Sequence, residues 1–263
     1  MKTLALLLAL QSSRPDGSFL TGTIEWREKR EAKLKAPDGW LSLAGLFWLN
    51  EGDNEIPLPS RCGPGVRIGF HAGRAVLAGR ELRSDAPGPA DEVVKGDCTL
   101  FLIRRGDRFA IRLKDQNSSA RAGFTGLNWY PPREAFRVQA KFIAAPRRIP
   151  VLNIVGITEE FESPGYAEFR LEGREFKLRP VLETGDATEL FYIFRDETSG
   201  KETYPAGRFL YSGFPRDGFA ILDFNRAYNP PCAFTEFATC PLPPRENRLP
   251  IAIPAGEKKY GAR

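Results

Sequence analysis

Apolar positions along the chain follow two rhythms. Between 21 and 36, TGTIEWREKREAKLKA, the apolar Ile24, Trp26 and Leu34 stand among charges. Thr21 or Thr23 can cap the start and Pro37-Asp38-Gly39 ends the run, which predicts a helix with a solvated charged face. The segment GWLSLAGLFWLNEGDNEIPLP alternates apolar and small residues and reads as one or two strands or a short helical turn, with Trp40, Phe47 and Trp48 as core. From 66 onward the rhythm shortens. VRIGF, RAVLAG and TLFLIRRGDRFAIRLKD are brief apolar runs separated by Gly or Gly-Asp, and the last predicts a hairpin turning at 105–108.

A second strand-rich block covers 137–211. Its arms RVQAKFI, VLNIVGIT, YAEFRLEGREFKLRPV, ELFYIFRD and ETYPAGRFLY recur at roughly ten-residue spacing. FRLEGREFKL (169–178) and FYIFRDETSGKETY (191–204) are expected hairpins. Between the blocks, FTGLNWYPPREAF holds Pro131-Pro132, which a central strand does not tolerate. The expected fold is mainly β, an antiparallel sandwich or barrel-like scaffold with one N-terminal helix and an irregular Pro-rich C-terminal segment. Residues 1–20 read as a signal or disordered N-terminus. Residues 21–263 read as one mostly β unit that can divide into packed halves at about 21–123 and 137–263.

Composition supports the strand reading. The 25 Gly, 22 Pro and 19 Phe are many breakers and many strand-forming aromatics for 263 residues, unlike an all-helical protein. Lys and Arg number 38 against 33 Asp and Glu, a net +5, but the basic residues are dispersed, so no nucleic-acid partner is expected. The densest groups, Arg104, Arg105 and Arg108 and then Arg147 with Arg148, read as solvated loop charges. No segment has the apolar length of a transmembrane span. The run from Leu4 to Leu10 behind Lys2 reads as a weak export signal, with a cytoplasmic location as the alternative.

The chemistry is constrained by scarcity. His71 is the single histidine and reads as an exposed turn residue. No metal spacing joins Cys62, Cys98, Cys232 and Cys240, and neither a phosphate loop nor a dinucleotide fingerprint occurs, so no metal and no cofactor is expected. Cys232 and Cys240, with seven residues between them, would pair as a disulfide in an exported chain and would stay buried thiols in a cytoplasmic one.

The stretch 223–257, DFNRAYNPPCAFTEFATCPLPPRENRLPIAIPAGE, breaks the β rhythm and concentrates polar side chains beside rigid prolines. Asp223, Asn225, Arg226, Tyr228, Asn229, Cys232, Glu246, Asn247 and Glu257, with Arg208 upstream, are the candidate ligand-binding residues. They could instead satisfy the backbone of an irregular loop. Two functional readings stay open here. One is a small-molecule binding protein with a polar pocket at DFNRAYNPPC, taking a small polar or anionic ligand. The other is a hydrolase-like enzyme using Cys232 or a pair drawn from Asp223, Glu236, Glu246 and Glu257, which needs carboxylates roughly 5 to 9 Å apart.

DFNRAYNPPCAF, ATCPLPP, ENRLP and AGEKKY, with GWLSLAGLFWL and DETSGKETYPAGRFL upstream, resemble the bacterial and archaeal domain of unknown function 1684, from about Trp26 to Tyr260. That resemblance implies a shared fold and no particular reaction. Residues 50–83 look in addition like the opening of a forkhead-associated sandwich, without that module's Gly-Arg and Ser-Arg-x-x-His signals, which leaves an interaction module as a further alternative.

Overall fold

The computed structural model describes residues 17–86 and 88–261. Of the stretch 1–20 read as a signal or disordered N-terminus, residues 1–16, with the apolar run from Leu4 to Leu10, lie outside the described residues, and 17–20 are helical instead. Helix α1, Gly17–Lys35, begins earlier than the sequence suggests. Thr21 and Thr23 are therefore not caps. Their hydroxyls donate back to the carbonyls of Gly17 and Phe19 at 2.9 and 2.8 Å. Phe19, Thr23 and Leu34 form the buried stripe, and Gly39 N–H closes the end on Ala36 O at 2.9 Å.

Eight strands follow among the described residues of the first half: β1 Leu43–Trp48, β2 Gly52–Ile56, β3 Val66–His71, β4 Arg74–Leu77, β5 Arg80–Leu82, β6 Glu92–Lys95, β7 Cys98–Arg105 and β8 Arg108–Asp115. They make two antiparallel sheets, ordered β1-β8-β7-β6 and β2-β3-β4-β5. Ile68, Ala75 and Leu82 from one sheet and Leu100, Leu102, Ile111 and Leu113 from the other share a core, as in a sandwich. The β7–β8 hairpin turns where expected, Arg105 facing Arg108, with Gly106 at a φ of 56°. Cys62 and Cys98 form a disulfide across this core, whereas Cys232 and Cys240 are both free thiols. The local pairing expected of an exported chain is thus replaced by one linking residues far apart in sequence. His71 is exposed beside Glu51, as expected.

In the second half β9 Arg137–Leu152 and β10 Thr158–Leu171 form a long hairpin, flanked by β11 Arg174–Leu178 and β14 Phe219–Asp223 in the order β11-β10-β9-β14. The 169–178 hairpin is present, its turn residues Glu172 and Gly173 both at positive φ. The 191–204 hairpin is not. Strand β12, Glu189–Phe194, pairs instead with β13, Arg208–Gly213. Residues 195–207 form a loop folded around buried polar groups, in which Thr198 Oγ1 donates to Asp196 at 2.9 Å and Asp196 accepts from Ile253 N–H at 2.7 Å. A strand there would leave these groups unpaired. Strand β12 is buried on both faces, Leu190, Tyr192 and Phe194 on one core and Phe191 and Ile193 on another.

Candidate functional site

The polar side chains of 223–257 are largely committed within the fold. Asn225 ties the strand end to Arg133, accepting its N–H and donating to its carbonyl, both at 2.9 Å, and Asp223 accepts from the Asn225 backbone N–H at 3.1 Å. Arg226 is exposed and pairs with Asp223 at 3.5 Å. Asn247 accepts from Arg179 N–H and donates to the carbonyls of Arg179 and Ile193 at 2.8 to 2.9 Å. Glu246 pairs with Arg147 and Arg179 at 2.6 and 3.2 Å. Arg208, fully buried, donates to the carbonyls of Ala255 and Ile253 and pairs with Asp196 at 3.3 Å.

Glu257 is also fully buried, accepting from Asn229 Nδ2 at 2.7 Å, with Arg30 Nε at 3.5 Å. Burial pushes its carboxyl up to about 7 against the pull of Arg30. Gly256 explains the AGEK signature: at a φ of 79°, a Cβ there would lie 2.7 Å from Phe224 O, so only glycine lets the chain deliver Glu257 to this place.

Two connected lobes form a cleft beside this brace. The first, about 460 Å³, lies between α1 and the β12–β13 layer and is lined by Trp26, Lys29, Arg30, Lys33, Tyr211 and Tyr228. The second, about 350 Å³, reaches Arg104, Arg105, Arg112, Phe191, Thr239 and Cys240. Trp40, Glu183, Phe209 and Pro231 border both. Tyr228 is the candidate residue from the sequence that lines the cleft; Cys232 is half-buried and does not line it. Trp40, expected as plain core, is part of the cleft wall.

The first lobe is aromatic with a basic margin. Tyr211 and Tyr228 stack at 6.2 Å between centroids, and Arg30 lies over the Tyr228 ring at 4.5 Å. Arg30 also donates to Asn229 O at 3.0 Å, so Glu257 and Asn229 together fix the guanidinium that supports Tyr228. Tyr211 donates its hydroxyl to Glu183. Burial raises both phenols above their ordinary range, which keeps them protonated.

The second lobe has Arg112 as its floor. On β8 the inward residues Ile111 and Leu113 face the sandwich core, and Arg112 projects from the opposite face of that sheet toward the second half. It is 3% exposed, lies 5.7 Å from the Trp40 centroid, and donates Nη2 to Thr239 Oγ1 at 3.2 Å. Its Nε has no partner among the described residues, and none of the ion pairs formed among them involves it. Burial, reinforced by the charge of Arg105, lowers its pKa to about 10, so it remains a cation at neutral pH. Arg105 donates Nε to the same Thr239 oxygen at 2.9 Å and pairs with Asp85 at 2.9 Å. It is therefore no solvated loop charge, because the second half of the chain covers it. The sequence carries no local signal for the burial of Arg112, because Ile111-Arg112-Leu113 alternates as a strand with one solvated face does, and the residues that cover Arg112 come from the second half of the chain.

Residues 122–258, just over half of the chain, match a family described as Protein of unknown function (DUF1684). The chain belongs to this family. The match starts later than the resemblance near Trp26 suggested, so DUF1684 residues supply Glu183, Phe209, Tyr211, Tyr228 and Thr239, whereas Trp26, Arg30, Trp40 and Arg112 precede the matched region. The chain is also similar to an uncharacterized protein of Haloarcula marismortui solved by NMR, with 31% identity over 54% of this chain and 81% of that one and a TM-score of 0.46. No curated protein matches the chain.

Proposed function

We propose that the protein binds a small organic anion in the two-lobed cleft. Its acidic head is held by Arg112, Arg105 and Thr239, and its flat apolar body lies against Trp40, Phe209 and Tyr211. The observation that carries this reading is Arg112, a cation 3% exposed with no ion-pair partner among the described residues. A buried charge with no ion pair of its own is expensive; the opposing charge that acts on Arg112 through space, Asp85, is already paired with Arg105, and a carboxylate, phosphate or sulfate from a ligand supplies a direct partner. Thr239 fits the same role: its oxygen already accepts from both guanidiniums, which leaves its proton to donate to a bound anion. Aromatic walls with a few convergent polar groups are what such sites use for affinity and orientation.

The test is titration of the full chain with 2-naphthoate, followed by tryptophan fluorescence from Trp40 and Trp26. Saturable binding that weakens by about tenfold or more in Arg112→Gln, and is unchanged in Arg74→Gln, supports the reading. Arg74, exposed on β4 and paired with Glu81 on β5, serves as the charge control. Binding that is absent, or equal in Arg112→Gln, sinks it.

A further inference from the structure

We propose that Cys232 and Cys240 form a reversible thiol-oxidation site, and that their disulfide lowers the affinity of the cleft for its anion. The second clause rests on the anion-binding reading above; the first stands without it. The two free thiols belong to one irregular loop between Pro231 and Pro241, and Cys232 N–H donates to Cys240 Sγ at 3.2 Å. Tyr204 donates its hydroxyl to Cys232 O at 2.9 Å, which fixes the backbone that carries the first thiol.

The two sulfurs are unequal in the way exchange chemistry needs. Cys232 is half-buried, and the hydrogen bond from Cys240 moves its thiol down toward the thiolate form. Cys240 is buried, and burial holds its thiol up. Cys232 is thus the attacking sulfur and Cys240 the resolving one.

The oxidant is a low-molecular-weight disulfide, R–S–S–R. Cys232 thiolate attacks one sulfur; the Cys232–S–S–R bond forms, the R–S–S–R bond breaks, and RS⁻ leaves to take up a proton. Cys240 then releases its proton to solvent and attacks the Cys232 sulfur. The Cys232–Cys240 bond forms and a second RS⁻ leaves. The protein loses two electrons and two protons, and the oxidant becomes two RSH.

The link to the cleft is positional. Cys240 lines the second lobe, its chain neighbour Thr239 holds both guanidiniums, and Pro231, next to Cys232, borders both lobes. A disulfide demands its own Cβ–Cβ separation and dihedral, so closing it shifts residue 240 and carries the Thr239 hydroxyl off the position where it accepts from Arg105 and Arg112. The anion then loses a donor and the alignment of two more.

The experiment treats the full chain with oxidised glutathione, maps its peptides by mass spectrometry after alkylation, and titrates the oxidised and untreated forms with 2-naphthoate. We expect a 232–240 cross-linked peptide, an affinity lowered by about tenfold or more, recovery with reduced glutathione, and oxidant-insensitive binding in Cys232→Ser. A mixed disulfide that never resolves to the cross-link, or a complete cross-link with affinity within about twofold, overturns the proposal. If naphthoate binds neither form, the anion-binding reading and the regulatory clause fall together, while the peptide map still decides whether the thiols pair.

Discussion

Arg112 and Thr239 lie 127 positions apart in sequence and meet through a 3.2 Å hydrogen bond from Nη2 to Oγ1. Thr239 accepts a second bond from Arg105 at 2.9 Å, so one hydroxyl from the second half orients two cations of the first. Thr239→Val keeps the shape and removes the acceptor and the donor. We expect its affinity for 2-naphthoate to fall about fivefold, the equivalent of one hydrogen bond of about 1 kcal/mol, in the same fluorescence titration. An unchanged affinity would separate Thr239 from the site.

Glu257 gives stability a pH dependence of unusual sign for a carboxylate. Its pKa rises from the ordinary 4.5 to about 7 because it is buried. Between these values the folded chain holds a proton that the unfolded chain has released. Raising the pH through that window therefore lowers the unfolding free energy by ~3 kcal/mol from this group, and the loss is complete above about pH 7. Urea unfolding of Glu257→Gln at several pH values should show a correspondingly flatter profile from pH 4.5 to 7; parallel profiles would refute the assignment.

Asn247 braces and does not bind. Its side chain makes three buried hydrogen bonds at 2.8 to 2.9 Å to Arg179 and Ile193 and does not line the cleft. Asn247→Ala should lower stability by about 3 kcal/mol in urea melts and leave the naphthoate affinity of the folded protein within about twofold. Lost affinity at full folding would return Asn247 to the site.

Local rules made the scaffold readable. Alternation and Gly-bearing turns gave the β7–β8 and β10–β11 hairpins, and Pro37-Asp38-Gly39 gave the end of α1. The reading failed where long-range partners decide the outcome. FYIFRDETSGKETY has hairpin chemistry, yet Asp196 is claimed by Ile253 and Arg208, so β12 finds its partner beyond the loop. The polar density of DFNRAYNPPC stood out for a local reason: an irregular buried segment needs side chains to satisfy backbone groups, as Asn225 and Asn247 do. The cleft has no local signature, because Trp26 and Arg30 come from α1, Arg112 from β8, and Tyr211 and Thr239 from the second half. Of its parts, Tyr228 was the one nominated from the sequence.

The most direct measurement is a crystal structure of the protein with 6-bromo-2-naphthoate, collected at the bromine absorption edge. We expect an anomalous bromine peak inside the cleft near Trp40 and Phe209, with the carboxylate in hydrogen-bond contact with Arg112 and Thr239. A bromine peak outside the cleft, or a carboxylate turned away from Arg112, would contradict the assignment of this buried guanidinium as the anion's partner.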